Sequence, residues 1–319
     1  MTAFVFPGQG AQSVGMGRAL ADAFPEARAT FDEADQALGW CLSEMIFAGP
    51  LERLTLTENT QPAILTMSVA AWRVLDARGF RPDVVAGHSL GEYSAHVAAG
   101  TLAFADAVRL VHHRGQYMQE AVPVGHGAMA AILGLDEDAV RAACDEAAQG
   151  EVVSPANINA ALQIVIAGTA AAVARAGEHA KARGAKRVIP LQVSAPFHCA
   201  LMAPAQARLA PELRAVPVRD PRVPVVANVD ATPKLDAPSA VAALIRQVSA
   251  PVRWDATVRR LASDGVSAYV EVGPGTVLSG LIRKVASDAT ILNFEQPAGL
   301  AAIEALFGGS GAARTSDPS

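Results

Sequence analysis

The stretch "VVAGHSLGEYSA", Val84 to Ala95, places Ser89 between two glycines, directly after a β-branched run and before a helix-like segment. This is a G-x-S-x-G pattern, in which the missing glycine side chains let a strand reverse sharply into a helix and expose the serine hydroxyl. The alternative is a Gly-Ser turn that only connects two elements, since such a turn can have the same sequence. The stretch predicts a strand, a tight turn and a helix, and makes Ser89 a candidate nucleophile.

The residues around this turn alternate between short apolar runs and longer helical patterns. "AFVF" near the start reads as a strand, followed by a helix through Phe31, a helix near Gln61 to Gly79, and the strand "DVVAG". Such alternation is typical of a parallel sheet covered by helices.

Between about Gly125 and Leu191 the predicted order of elements changes to βαββαβ. This order is typical of a ferredoxin-like unit. Helix–strand alternation then resumes with "VPVVANV", a helix ending near Val248, the strand "AYVEV" and a helix begun by "GPGT". We therefore predict a discontinuous large α/β domain over 1–123 and 197–308, a ferredoxin-like subdomain over 124–196 and a disordered tail over 309–319. A cleft between the two units is the expected place for a ligand.

Composition narrows the class of protein. The 319 residues are 51% hydrophobic and 18% charged, which excludes a disordered chain. A net charge of -5 and a pI near 5.8 argue against nucleic-acid binding. The three cysteines have neither disulfide nor zinc spacing and are predicted to be packed thiols, so we expect no metal. With no membrane-length apolar run and no basic leader, the expectation is a soluble cytoplasmic protein without a membrane partner.

A serine nucleophile needs a general base, and His198 is the candidate histidine. It lies in "VSAPFHCALM", where the chain leaves the small unit and re-enters the large one, so it is expected to face the cleft. A histidine satisfied inside the core remains the alternative. His112 and His113 are expected on a solvated helix face, and His88, as a strand neighbour of Ser89, on the opposite side.

Two backbone segments could stabilise an oxyanion. The Leu90 N–H follows the serine at the start of a helix, where free N–H groups and the helix dipole favour negative charge. "FPGQGAQ" after the first strand places Gln9 between glycines that allow a close approach to a ligand. A phosphate-cradling loop is the alternative, although the lysine and spacing of a P-loop are missing.

Arg114 lies in an unusual position on the helix "FADAVRLVHHRGQYMQEAV". At 100° per residue it falls in the middle of the apolar face. A buried guanidinium needs an anion, which either an internal Asp or Glu or a substrate could supply. The forked geometry of arginine matches a carboxylate, so a free acid on the substrate is favoured, with a structural ion pair as the alternative.

Taken together, these segments resemble the malonyl-CoA:acyl carrier protein transacylases of fatty-acid or polyketide synthesis. The resemblance covers nearly the whole chain in order. It rests on these motifs: "FPGQGAQ", "TQPA" at 60–63, "GHSLGEY", the arginine ending "VHHR", "NINA" at 157–160, "APFH", "PVRW" and "EVGPG".

The resemblance implies a hydrolase-like α/β fold with an inserted ferredoxin-like subdomain, and a role for each matching residue. Ser89 is acylated, His198 moves the proton, and Gln247 stands where the family orients the histidine through a carbonyl. The backbone amides of Gln9 and Leu90 hold the oxyanion. Arg114 binds the malonyl carboxylate in a site that also includes Gln61, Asn157 and Phe197.

The reaction implied is a ping-pong transfer of malonyl from malonyl-CoA to the phosphopantetheine thiol of an acyl carrier protein, without cofactor or metal. Leu90 and Phe197 resemble the malonyl-selective members rather than the methylmalonyl-selective ones. The family also suggests a monomer. Two alternatives are an acyl hydrolase acting on carrier proteins, in which water replaces the carrier thiol, and a catalytically silent docking module. Relatives of the hydrolase type generally lack the arginine that Arg114 matches.

Overall fold

The first strand, β1 (Thr2–Phe6), lies inside the central sheet of the protein, whose residues 1–308 are described by a computed structural model. Phe4 and Phe6 face one hydrophobic core, and Ala3 and Val5 face another on the opposite side of the sheet. Successive side chains of a strand point to opposite faces, so a strand covered on both faces must be apolar throughout. This explains the uninterrupted run "AFVF". The predicted tail, 309–319, lies outside the described residues.

Six strands form the central sheet in the order β10-β9-β1-β2-β7-β8. All neighbours are parallel except the edge strand β8, which is antiparallel to β7. A mixed α/β architecture with a parallel-sheet core, as predicted, is therefore confirmed. The further strands within residues 1–308 are β2 (Val84–Gly87), β3 (Gly127–Leu133), β4 (Val153–Ala160), β5 (Gln163–Thr169), β6 (Arg187–Pro190), β7 (Val225–Val226), β8 (Pro233–Lys234), β9 (Ala268–Val272) and β10 (Thr290–Phe294).

Helices cover both faces of this sheet. The longest, α5, is buried along almost its whole length and packs against α7, which carries Arg114. The helices within residues 1–308 are α1 (Arg18–Ala23), α2 (Pro25–Leu38), α3 (Leu42–Ala48), α4 (Leu51–Leu54), α5 (Thr57–Ala77), α6 (Gly91–Ala98), α7 (Phe104–Ala121), α8 (Glu137–Ala148), α9 (Ala170–Ala182), α10 (Ala203–Ala215), α11 (Ala237–Gln247), α12 (Trp254–Ser263), α13 (Val277–Ile282) and α14 (Leu300–Gly308). Short 3-10 helices span Ala200–Met202 and Pro297–Gly299.

The middle of the chain forms a second, antiparallel sheet in the order β4-β5-β3-β6. Helices α8 and α9 pack on it and enclose a separate hydrophobic core with Ile132, Ile164 and Ile166 at its centre. The observed element order over this segment is β3, α8, β4, β5, α9, β6, as the sequence pattern indicated. A core of its own is what a compact unit needs.

Several local expectations differ from the structure. The predicted helix through Phe31 is two helices, because Phe24 precedes a proline and takes an extended conformation that separates α1 from α2. In "VPVVANV" only β7 pairs, because its neighbour β2 leaves the sheet after Gly87. Strand β10 and helix α14 were not predicted. Of the cysteines, Cys144 and Cys199 are buried, whereas Cys41 is exposed on the turn before α3.

Candidate active site

Ser89 lies in a sharp turn between the end of β2 and the start of α6. Its backbone has a φ of 52°, a left-handed conformation that non-glycine residues adopt at a cost. Gly91 allows the helix to start so close to β1 that a Cβ there would lie 2.0 Å from the Phe6 carbonyl oxygen. The second glycine of the motif is thus needed for close packing, and the turn aims the serine hydroxyl at a cavity.

His198 meets Ser89 from the segment that follows the small unit. Its Nε2 lies 2.6 Å from Ser89 Oγ, and its Nδ1 lies 2.9 Å from the backbone carbonyl oxygen of Gln247. A carbonyl oxygen only accepts, so Nδ1 carries the proton in this contact and Nε2 presents a lone pair to the hydroxyl. Burial and the nearby Arg114 guanidinium lower the pKa of His198 to about 3, which keeps the imidazole neutral. The pair is arranged as a nucleophile and its general base.

Arg114 is 2% exposed, and within the described part of the chain its side chain donates only to neutral oxygens. Its Nη1 lies 2.6 Å from Gln61 Oε1, while Nη2 lies 2.9 Å from Gln247 Oε1 and 3.2 Å from Ser89 Oγ. Within residues 1–308 no carboxylate lies within salt-bridge distance of the guanidinium. The structural ion pair that the sequence left open is therefore absent, and the charge lies directly beside the candidate nucleophile.

The loop after β1 comes close to the nucleophile elbow, the sharp turn over residues 87–91 that carries Ser89. A Cβ at Gly8 would lie 2.4 Å from the His88 carbonyl oxygen, so only glycine allows this approach. The Gln9 side chain donates to Thr57 Oγ1 at 3.1 Å. In the described part of the chain, the backbone N–H groups of Gln9 and Leu90 donate to no protein acceptor. Two unpaired donors next to a serine are what an oxyanion would require.

A cavity of about 570 Å³ lies between the two sheets and brings most of the predicted site residues together. Gln247 lies behind its wall, buried and bonded to Arg114 and His198. Predicted residues that line the cavity are Gln9, Gln61, Ser89, Leu90, Arg114, Asn157, Phe197 and His198. Further lining comes from Met118, from Met129 and from the segment 191–194, none of which the sequence pattern singled out.

The prediction for His88 is wrong. Its side chain lines the same cavity as Ser89, and its Nε2 lies 2.8 Å from Asn159 Oδ1. Alternation does not apply, because β2 ends at Gly87 and the left-handed turn at Ser89 rotates the chain. Burial lowers the pKa of His88, so it too is held neutral.

His112 and His113 are half-buried rather than solvated. His113 Nδ1 lies 2.7 Å from Glu212 Oε2, because α10 packs against their helix.

Two buried polar residues beneath the elbow were missed. Glu92 accepts from Gln247 Nε2 at 2.8 Å and from the Asn228 N–H at 3.0 Å, and burial raises its pKa to about 7. Asn228 lies just beyond β7 and bonds to the elbow backbone. The available signal was positional, since both polar residues stand close to the carboxyl ends of neighbouring parallel strands, where sites of such sheets are found.

Within residues 1–308, no helix is long and apolar enough to span a bilayer. Over the same residues, no group of three or more His, Cys, Asp or Glu side chains is placed to hold a metal ion.

An elbow serine facing a histidine at the carboxyl edge of a parallel sheet is the arrangement of α/β proteins that handle acyl groups. The family described as "Acyl transferase domain" matches residues 3–299. By this match and the similarities that follow, the chain belongs to the malonyl-CoA:acyl carrier protein transacylase family.

Relatives and solved structures agree over nearly the whole chain. The chain is 52% identical to the malonyl CoA-acyl carrier protein transacylase of Escherichia coli strain K12, over 94% of this chain and 97% of that protein. It is 50% identical to the Bacillus subtilis strain 168 protein of the same name, over 89% and 90%. The acyl carrier protein S-malonyltransferase of Vibrio cholerae superposes with a TM-score of 0.93 at 48% identity, over 95% and 99% of the two chains. A malonyl-transacylase solved in complex with a type II polyketide acyl-carrier protein superposes with a TM-score of 0.93 at 48% identity, over 96% of this chain and 99% of that chain.

Proposed function

We propose that the protein transfers a malonyl group from malonyl-CoA to the phosphopantetheine thiol of an acyl carrier protein. The observation that carries the proposal is the Arg114 guanidinium, which is buried, has no carboxylate partner among residues 1–308, and lies 3.2 Å from Ser89 Oγ. A free acid separated from a thioester carbonyl by one methylene group would let the carboxylate reach Arg114 while the carbonyl carbon lies at Ser89 Oγ. The similarity to proteins named malonyl CoA-acyl carrier protein transacylases supports the same assignment.

The first half-reaction acylates the serine. The Ser89 Oγ proton moves to His198 Nε2 while Oγ attacks the thioester carbon, and the Gln9 and Leu90 amides hold the oxyanion. The C–S bond then breaks, and His198 returns the proton to the CoA sulfur. Because burial lowers the pKa of His198 to about 3, the imidazole begins neutral and able to accept the proton.

The second half-reaction regenerates the serine. The carrier thiol gives its proton to His198, and its sulfur attacks the malonyl-serine ester. When the C–O bond breaks, the proton goes back to Ser89 Oγ. The Gln247 carbonyl oxygen, 2.9 Å from His198 Nδ1, keeps the ring in place through both halves. One thioester is exchanged for another, so no cofactor is needed.

The site residues receive these roles as part of the proposal. Arg114 binds the malonyl carboxylate, with Gln61 holding one arm of the guanidinium. Phe197 occupies the cavity wall where an α-methyl would lie, which favours malonyl over methylmalonyl. Asn157 reaches the cavity from β4 and is assigned to the part of the site that contacts the acyl group or pantetheine.

We also propose that the chain divides into a hydrolase-like large domain, 1–123 and 197–308, and a ferredoxin-like subdomain, 124–196. The separate core of the antiparallel unit and its strand order β4-β5-β3-β6 support this division. The cavity between the two would admit pantetheine from CoA or from a carrier protein. A monomeric, cytoplasmic protein is part of the same proposal.

Intact-mass measurement tests the function. The protein mixed with malonyl-CoA alone should gain one malonyl group, which peptide mapping should place on Ser89, and Ser89→Ala should gain none. Adding a phosphopantetheinylated carrier protein should move the group to the carrier. Free malonate released without carrier at the rate of acylation would identify the acyl hydrolase instead, and no adduct at all would contradict both.

A further inference from the structure

Asn228 forms a clamp on the backbone of the nucleophile elbow. Its side-chain Oδ1 accepts the Ser89 N–H at 2.7 Å, and its Nδ2 donates to the Gly87 carbonyl oxygen at 2.6 Å. The residue is fully buried and does not line the substrate cavity. One side chain thus contacts the elbow on both sides of His88.

The position of Asn228 follows from the sheet. Strand β7 pairs in parallel with β2 at Val85↔Val225 and Ala86↔Val226, and there the ladder ends because β2 turns into the elbow. Asn228 lies two residues past the end of β7, next to the departing backbone. Its side-chain amide carries one donor and one acceptor group like a peptide, so it replaces the missing ladder bonds.

Further hydrogen bonds fix the backbone of Asn228 and the elbow that it contacts. The Asn228 N–H donates to Glu92 Oε2 at 3.0 Å, and Gln247 Nε2 donates to the Ser89 carbonyl oxygen at 2.8 Å. The Asn228 carbonyl oxygen in turn accepts the Arg253 N–H at 3.0 Å. With both its backbone groups fixed, Asn228 has a defined direction.

We infer that Asn228 is a positioning residue that holds Ser89 in its left-handed conformation, and so holds Oγ within reach of His198. Ser89 has a φ of 52°, which an unsupported serine leaves readily. Without the clamp, the buried Ser89 N–H loses its acceptor and the turn relaxes, which moves Oγ away from the 2.6 Å contact with Nε2. The inference rests on the proposed function only for the choice of malonyl-CoA as a substrate. The role given to Asn228 concerns the reactivity of Ser89 itself.

The test compares Asn228→Ala with a matched control, Asn293→Ala. Asn293, on β10, also bonds sheet-edge carbonyls, with Nδ2 2.7 Å from the Gly275 oxygen, and lies outside the cavity. Two single-turnover reactions are followed by intact mass: acylation by malonyl-CoA, and sulfonylation by phenylmethylsulfonyl fluoride, which carries no carboxylate. A third variant, Asn228→Asp, keeps the volume and one acceptor but loses the donor to Gly87.

For Asn228→Ala we expect the maximum rate of both reactions to fall by a similar factor of about 100, the size typical of a displaced reacting group. The malonyl-CoA concentration at half-maximal rate should stay within about twofold, and Asn293→Ala should react like the unaltered protein. Asn228→Asp should recover as the pH falls, relative to the unaltered protein, because a protonated carboxyl group again offers a donor to Gly87.

Three results would overturn the inference. One is a folded Asn228→Ala that reacts at full rate, and another is a loss confined to malonyl-CoA, which would indicate substrate binding. The third is an equal loss in Asn293→Ala. If Asn228→Ala does not fold, the pH recovery of Asn228→Asp decides: recovery supports the clamp and its absence refutes it. Failure of the unaltered protein to accept malonyl would refute the proposed function, while the sulfonylation comparison would still test Asn228.

Discussion

Replacing Arg114 with alanine should slow acylation of Ser89 by a negatively charged acyl group but not by an uncharged one. The guanidinium is 2% exposed, and its neighbours within hydrogen-bond reach are the amide oxygens of Gln61 and Gln247 and the hydroxyl of Ser89. A malonyl carboxylate bound beside it would be desolvated together with it. An acetyl group at the same serine would make no contact of this kind.

The size of the effect follows from that burial. Removing one partner of a buried, hydrogen-bonded charge pair costs about 2–5 kcal/mol, which is roughly 30- to 4000-fold at about 1.4 kcal/mol per factor of ten. We therefore expect Arg114→Ala to lower the second-order rate of Ser89 acylation by malonyl-CoA within that range. Acylation by acetyl-CoA should not fall, because no bound carboxylate is lost.

The assay is single-turnover acylation with each CoA ester, followed by intact mass. Arg109→Ala is the matched control, because Arg109 lies on the same helix but its side chain is 46% exposed and paired with Asp106 at 2.7 Å. It should acylate like the unaltered protein. An equal fall for both esters would show that Arg114 acts on Ser89 or on the fold, and an unchanged malonyl rate would refute its carboxylate role.

Three further predictions concern the cavity wall and the buried titratable groups. Phe197→Ala should raise acylation by methylmalonyl-CoA relative to malonyl-CoA by roughly 10- to 200-fold, the worth of about 1–3 kcal/mol for one methyl group, and an unchanged ratio of the two rates would count against the steric role. Because the pKa of His198 is lowered to about 3, the acylation rate should lack an acid limb near pH 6.5, and a limb there in stopped acylation reactions would contradict the neutral base. Glu92 has a pKa raised to about 7 from 4.5, so the stability it contributes is complete below about pH 4.5 and is lost as the pH rises through 7. Glu92→Gln should therefore gain about 3 kcal/mol of unfolding free energy relative to the unaltered protein between pH 4 and pH 9, measured by urea unfolding, and a pH-independent difference would disprove the shift.

The local pattern around Ser89 was sufficient to predict strand, turn and helix, because the two glycines are required by sterics that act over a few residues. The same holds for the βαββαβ order and for the burial of Arg114, which the periodicity of α7 alone indicated. What the periodicity could not say was the partner of that guanidinium. The amide oxygens of Gln61 and Gln247 come from two other helices, so only the packing of those helices decides that, within residues 1–308, the guanidinium contacts amide oxygens and no carboxylate lies within salt-bridge distance.

His88 shows the limit of local rules most clearly. The alternation that predicts a strand residue's direction holds only while the strand continues, and β2 ends one residue before His88. Its contact with Asn159 joins the elbow to the antiparallel unit, across 71 residues of chain.

The sequence by itself determined which residue types stand at the turn, on the buried helix face and at the strand ends, since these depend on neighbours within a few positions. Only the tertiary structure decided that Asn228 reaches the backbone of Ser89 across 139 residues and that His198 reaches its hydroxyl across 109. The physical reason is that hydrogen bonds act over about 3 Å. Contacts between distant segments therefore exist only once the sheet has set the register of its strands.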